Sequence, residues 1–101
     1  MAEEIHVGDI GTLFEATIMD GSQVVDISGA TTLQIIFLKP NGTRLEKTAA
    51  LSGDGTDGRM RYVTVAGDLD IAGFWKMQGF VELATWEGHS PIETFQVYDN
   101  L

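Results

Sequence analysis

Apolar and polar residues alternate along most of this chain with a period close to two. Such alternation is typical of β-strands that bury one face, and no stretch of about 11 residues has the apolar spacing of an amphipathic helix. The pattern therefore predicts roughly six to eight short strands and no helix. The predicted strands lie within residues 12–19, 32–38, 43–51, 59–65, 73–86 and 92–98.

Glycines with neighbouring Asp, Asn, Ser or Pro separate these segments and predict turns at 20–22, 40–42, 54–58 and 87–90. The pair Asn41-Gly42 stands between two predicted strands, which is a strong short-range signal for a hairpin. The loop 66–73 is too long for a tight hairpin and suits a crossing between two sheets, as Greek-key connections require. The fold class predicted is a single-domain, all-β, antiparallel β-sandwich covering residues 1–101.

The alternation also predicts which side chains are buried. One face of the first long segment carries Phe14, Ala16 and Ile18. In segment 73–86 we expect Trp75 to lie in the core. The same face carries Met77, Gly79, Val81 and Leu83. For the last strand the pattern leaves the inward face open, with Phe95 and Val97 favoured.

Phe80 breaks the pattern of its strand, because it falls on the face that carries Lys76, Gln78 and Glu82. One interpretation is that Phe80 is an exposed anchor for a protein–protein contact. The other is a β-bulge at Gly79 that shifts the register and turns Phe80 inward. The alternation leaves both open.

Composition narrows the function classes. The chain has 101 residues, no cysteine, and 15 acidic against 6 basic residues, giving a formal charge of −9. This excess disfavours nucleic acid as a partner, because phosphates need clustered Lys and Arg. No apolar run reaches the ~18 residues of a membrane span, and the acidic start of the chain is unlike a secretion signal. All six basic residues lie between Lys39 and Lys76, so the two ends of the chain are acidic.

The order of several short motifs resembles a known family. The motifs are Gly8-Asp9-Ile10-Gly11-Thr12, Ile27-Ser28-Gly29-Ala30, Lys39-Pro40-Asn41-Gly42 and Gly73-Phe74-Trp75-Lys76, followed by a final strand with Glu93-Thr94-Phe95. In this order they resemble the immunoglobulin-like N-terminal domain of phage baseplate upper proteins and related small tail-associated phage proteins. The resemblance covers nearly the whole chain, and it implies that the motif at residues 8–12 opens the first strand.

The resemblance implies an Ig-like sandwich that serves as a non-enzymatic structural component of a phage or prophage virion, in the tail or baseplate. Its expected partners are other virion proteins, and association with further copies of itself is also possible. Its expected location is the virion. The alternative is a carbohydrate- or receptor-binding module on the virion surface. That module would use Trp86, Tyr98 or loop aspartates at an exposed end.

Catalytic and metal-binding groups are sparse. His6 and His89 are the only histidines and lie far apart in the chain, and no serine stands in a nucleophile elbow. We therefore expect no enzyme activity and no cofactor. Asp54 and Asp57 could offer oxygen ligands to calcium, but their spacing lacks the further acids of an EF-hand loop. Asp and Gly are also common residues of tight turns, and the turn interpretation is preferred.

Overall fold

The computed structural model describes residues 4–101, and these contain eleven β-strands and no helix. The prediction of an all-β chain is confirmed. Nothing in the described range is a helix long and apolar enough to cross a membrane. The strands are β1 (Ile5–His6), β2 (Leu13–Thr17), β3 (Met19–Asp20), β4 (Gln23–Val24), β5 (Thr32–Leu38), β6 (Arg44–Thr48), β7 (Ala50–Leu51), β8 (Arg59–Val63), β9 (Gly73–Glu82), β10 (Glu87–His89) and β11 (Glu93–Tyr98).

The strands form one large and one small sheet. The large sheet has six strands in the order β1-β11-β9-β5-β6, with β10 also paired to β9. The small sheet has the order β2-β8-β7, and β3 with β4 forms a separate ribbon. Every pair is antiparallel except β1 with β11, which is parallel. The expectation of purely antiparallel strands is wrong at this edge, where the parallel register aligns the two buried residues Ile5 and Val97.

The core lies between the inner faces of the two sheets. The Phe14 ring on β2 lies 5.2 Å from the Phe37 ring on β5 and 4.7 Å from the Phe95 ring on β11, measured between centroids. Trp75 is fully buried, and its Nε1 donates a hydrogen bond to the Ile71 carbonyl at 3.0 Å. The predicted burial of Phe14 and Trp75 is confirmed, because an alternating strand buries one face whichever partner covers it.

Gly79 in the middle of β9 lets the small sheet approach closely. A Cβ at this position would stand 2.8 Å from the Cβ of Ala16 on β2. The backbone N–H of Gly79 donates to Ser90 Oγ at 2.7 Å, so the residue is held firmly in place. A glycine here is therefore explained by the packing of one sheet on the other.

The chain crosses between the sheets several times, and two of these crossings bear on the sequence predictions. The predicted crossing at 66–73 is confirmed, because β8 belongs to the small sheet and β9 to the large one. The single strand predicted at 43–51 is wrong. It divides at Ala49, whose N–H donates to the Leu33 carbonyl at 2.9 Å, into β6 of the large sheet and β7 of the small sheet. Ala49 is small and buried, which lets the strand turn from one layer into the other.

The opening strand expected at residues 8–12 is not formed. The segment is a tight connection between β1 and β2, in which Gly8 N–H donates to the Leu69 carbonyl at 2.7 Å and Gly11 N–H donates to the Thr64 carbonyl at 2.9 Å. These bonds run to connecting loops and not to a neighbouring strand, so the segment gains no ladder. The first long strand of the fold is β2.

The end of the predicted strand 73–86 also differs. β9 ends at Glu82, the chain turns at 83–86, and residues 87–89 form β10 where a turn was expected. The turn is closed by a hydrogen bond of 2.7 Å from Leu83 N–H to the Trp86 carbonyl. A Cβ on Gly88 would collide with the Trp86 ring, so this glycine leaves room for the indole and does not mark a turn.

A bulge separates β10 from β11 along the same side of β9. His89 pairs with Phe80 and Glu93 pairs with Met77, so the three residues 90–92 stand opposite the two residues 78–79. Pro91 lies within this segment and has no N–H to contribute to a ladder. The extra residue interrupts the pairing, and the side chain of Ile92 is left 61% exposed.

Candidate functional site: the outer face of the large sheet

The most distinctive surface is the side of the large sheet that points away from the small sheet, here called the outer face. On β9 it is formed by every second residue, because side chains alternate along a strand. Those residues are Phe74, Lys76, Gln78, Phe80 and Glu82. The cross-strand neighbours that complete the face are Thr32, Gln34, Ile36 and Leu38 on β5, Arg44, Glu46 and Thr48 on β6, and Glu87, His89, Ile92, Thr94 and Gln96.

Phe80 lies on this face, as its parity in the strand indicated. The register from Thr32↔Glu82 to Leu38↔Lys76 is unbroken, so the interpretation of a bulge at Gly79 is wrong. The irregularity lies on the facing strand instead, at 90–92. Phe80 is half-buried because its ring packs against His89, with 5.0 Å between centroids. Its role as a contact anchor stays a prediction.

Two more exposed apolar side chains on the outer face were missed by sequence reasoning. Phe74 is 66% exposed and Ile92 is 61% exposed, so each offers more free surface than Phe80. Phe74 has the same parity as Phe80, so the alternation that singled out Phe80 also contained the signal for it. The exposure of Ile92 depends on the bulge beside Pro91. No local sequence pattern predicts this bulge.

A shallow groove of about 280 Å³ runs across the middle of this face. Its walls combine aliphatic side chains with two cationic groups. The residues that line it are Ile36, Leu38, Arg44, Lys76, Met77, Gln78, His89 and Ile92. Such a mixture of apolar and polar lining residues is typical of a protein contact surface.

Charge is unevenly distributed along the outer face. Lys76 lies exposed toward the end formed by the β5–β6 hairpin, and Arg44 beside it is paired with Glu46 at 3.0 Å. At the other end Glu82 and Glu87 stand directly opposite each other in the β9–β10 ladder. Like charges in this position repel each other. The face is therefore basic at one end and acidic at the other.

The two histidines do not meet. His6 pairs with Tyr98 near the start of β9, and its Nε2 lies 3.2 Å from Glu4 Oε1. His89 pairs with Phe80 near the other end of β9, so roughly 25 Å of strand separates the two imidazoles. No shared site is built from them.

Asp54 and Asp57 are engaged in turn hydrogen bonds. Asp54 Oδ1 accepts from the N–H and the hydroxyl of Thr56, at 3.0 and 2.8 Å, and these two bonds hold the pKa of Asp54 below its ordinary value. Asp57 Oδ1 accepts from Arg59 N–H at 3.1 Å. Among residues 4–101 no group of three or more potential metal ligands lies close together. The carboxylates serve the backbone of their own turns.

Trp86 and Tyr98 lie at opposite ends of the large sheet. Trp86 closes the turn after β9, whereas Tyr98 follows Val97, which pairs with Gly73 at the start of β9. A strand of ten residues spans about 33 Å, so the two rings cannot hold one sugar ring between them. Each is only partly exposed, Trp86 at 36% and Tyr98 at 38%.

Asp68, in the loop that crosses between the sheets, is the centre of a buried polar cluster. Its carboxylate accepts from Tyr62 Oη at 2.5 Å and from Val65 N–H at 2.9 Å, and Lys47 Nζ lies 3.1 Å away. Burial acts to raise the pKa of Asp68, but the hydrogen bonds and the lysine outweigh it, so the pKa lies below its ordinary value. Burial and the adjacent carboxylate raise the pKa of Tyr62 to about 12. This cluster joins β6, β8 and the crossing loop, and its groups are satisfied by one another.

Comparison with models of known protein families and with curated protein sequences found no match to this chain. The fold and the outer face define an all-β module with an uncovered, partly apolar sheet face.

Proposed function

We propose that this protein is a non-enzymatic structural component of a bacteriophage or prophage virion, associated with the tail or baseplate. Its outer face makes the contact with neighbouring virion proteins. We also propose that the fold is an Ig-like β-sandwich with Greek-key connections. Two of the crossings between sheets, at Ala49 and over 66–73, support this finer description.

The observation that carries the proposal is the uncovered apolar surface of the outer face. A phenylalanine side chain presents about 150–250 Å² to solvent when free, so the 66% exposure of Phe74 leaves roughly 130 Å² to be covered. Covering it contributes on the order of 3 kcal/mol to an association. Ile92 and the free part of Phe80 lie on the same face and add to this. Together with the order of motifs in the sequence, this supports a module that works by protein–protein contact.

The proposal is tested on particles. Phage particles purified from the source culture, by infection or prophage induction, are expected to contain the protein at a fixed copy number, measured by quantitative mass spectrometry. Complementation with Phe74→Glu should lower incorporation, because the substitution places a carboxylate where apolar surface is covered. Leu13→Glu is the matched control, since Leu13 is an exposed apolar residue at 46% on the small sheet.

Both variants should melt within a few degrees of the natural protein, because both positions are exposed. Normal incorporation of Phe74→Glu, or equal loss with Leu13→Glu, would show that the outer face is not the contact surface. Absence of the protein from purified particles, or turnover of a substrate at an enzymatic rate, would contradict the structural role itself.

A further inference from the structure

We propose that the outer face binds the outer face of a second copy of this chain, as a two-fold symmetric pair with the sheets antiparallel. This inference rests on the proposed contact role of the face and names its occupant. Its basis is the arrangement of charge around the apolar middle of the face. Three features carry it: an uncompensated cation at one end, paired carboxylates at the other, and apolar side chains between them.

The charges that matter are left without ion partners inside the described part of the chain. Lys76 is exposed and forms no ion pair within residues 4–101. Glu82 and Glu87 oppose each other across the ladder, and neither is paired with a cation in the same range. Glu82 Oε1 only accepts a hydrogen bond of 3.2 Å from the Thr32 hydroxyl. The repulsion between the two glutamates is relieved when a cation approaches them from outside.

A two-fold pair satisfies both ends at once. In an isologous interface, residue i of one copy contacts residue j of the other, and residue j contacts residue i. Lys76 and Glu82 are six residues apart on β9, which separates them by about 20 Å. When two outer faces stack with β9 strands antiparallel, each Lys76 lies over the other copy's Glu82 and Glu87. The apolar residues Phe80 and Ile92 then meet near the middle.

The size of the face predicts a weak pair. Four strands wide and seven residues long, the face covers roughly 440 Å². Stable protein pairs bury about 800 Å² per partner, so this contact stands at the weak end of specific interfaces. It is expected to form at high protein concentration, or when a scaffold holds many copies close together and raises their effective concentration.

The experiment is sedimentation equilibrium of the full chain at low salt, from about 10 µM to about 1 mM. The average mass is expected to rise from 11.0 kDa toward twice that value. Lys76→Glu and Glu82→Lys should each lower the association constant by about tenfold or more, because each places like charges together in both halves of the pair. An equimolar mixture of the two variants should associate again, since opposite charges then meet at both ends.

The mixture of the two variants distinguishes a specific pair from nonspecific association. Nonspecific association through an apolar face would not depend on which variants are combined. A monomer at every concentration, or a mixture that associates no better than either variant alone, would overturn the inference. If the chain stays monomeric but Phe74→Glu still lowers incorporation into particles, a different virion protein occupies the face and the proposed function stands. If the pair forms but particles lack the protein, the inference stands and the virion role fails.

Discussion

Replacing Asp68 with asparagine should destabilise the fold strongly, although the two side chains have the same shape. Asp68 is 4% exposed and accepts hydrogen bonds from Tyr62 and from Val65 N–H. A hydrogen bond to a buried charged group is worth about 1.5–3 kcal/mol. Tyr62 and Val65 both donate to Oδ2, so an asparagine oxygen in that place can still accept from both, but as a neutral group that binds them less strongly. The amide NH2 takes the place of Oδ1 and faces the Lys47 ammonium, so the ion pair is lost.

The expected cost follows from what is lost. Each of the two hydrogen bonds to Oδ2 loses about half its strength, roughly 1 kcal/mol, when the acceptor is no longer charged. The ion pair adds only a fraction of a kcal/mol because the Lys47 side chain is 28% exposed. The sum is about 2–3 kcal/mol, a large part of the ~5–15 kcal/mol that stabilises a typical domain. For a chain of this size that corresponds to a fall in Tm of roughly 10–20 °C. Thermal unfolding followed by circular dichroism measures it.

Asp57→Asn is the matched control, because Asp57 is exposed and an asparagine oxygen can still accept from Arg59 N–H. It should change Tm by a few degrees at most. The pKa of folded Asp68 is lowered, so its contribution is present above the unfolded pKa and is lost as pH falls through the folded pKa. The difference between Asp68→Asn and the natural protein should therefore be constant near neutral pH and narrow below about pH 4. If Asp68→Asn melts no lower than Asp57→Asn, the cluster does not stabilise the fold.

Two further predictions concern the core and the Asp-rich turn. Trp75→Ala should cost about 3–5 kcal/mol in urea unfolding, because a fully buried indole leaves a cavity. The control Trp86→Ala, at a residue 36% exposed, should cost less than half as much, and equal losses would contradict the assigned core. Calcium at about 5 mM should leave Tm unchanged, since a ligand of the folded state alone would raise it. A rise of several degrees that Asp54→Asn abolishes would establish a bound ion.

Much of the core could be predicted from local alternation. Phe14, Trp75 and Val97 are buried as expected, because the parity of a strand is a property of neighbouring residues and needs no knowledge of the partner. The hairpin at Asn41-Gly42 was predictable for the same reason, since Gly42 adopts the left-handed φ of 86° that such a turn favours. Both depend on chemistry within a few residues of the chain.

The parts that differ depend on how separate segments of the chain pack together. Nothing near Gly88 indicates a strand, because this glycine is required by the ring of Trp86, and the polar, glycine-containing composition of 87–90 resembles a turn. The division of 43–51 at Ala49 reflects the spacing between two sheets. The position of the bulge reflects Pro91, which has no N–H to contribute to the ladder. None of these is visible before the pairing is known.

In the candidate site, too, some features could be predicted from local sequence and others could not. Most of its charge and packing depends on which residues the strand register places side by side. The parity of Phe80 indicated which face it belongs to, but its half-burial comes from His89, nine residues further along the chain. The opposition of Glu82 and Glu87 exists only because the turn at 83–86 has the length that places them side by side. A turn longer or shorter by one residue would move every side chain of β10 to the other face. The acidic end of the outer face would then lose Glu87. The charge layout that favours a symmetric pair is thus encoded in the length of a turn and not in any motif along the strand.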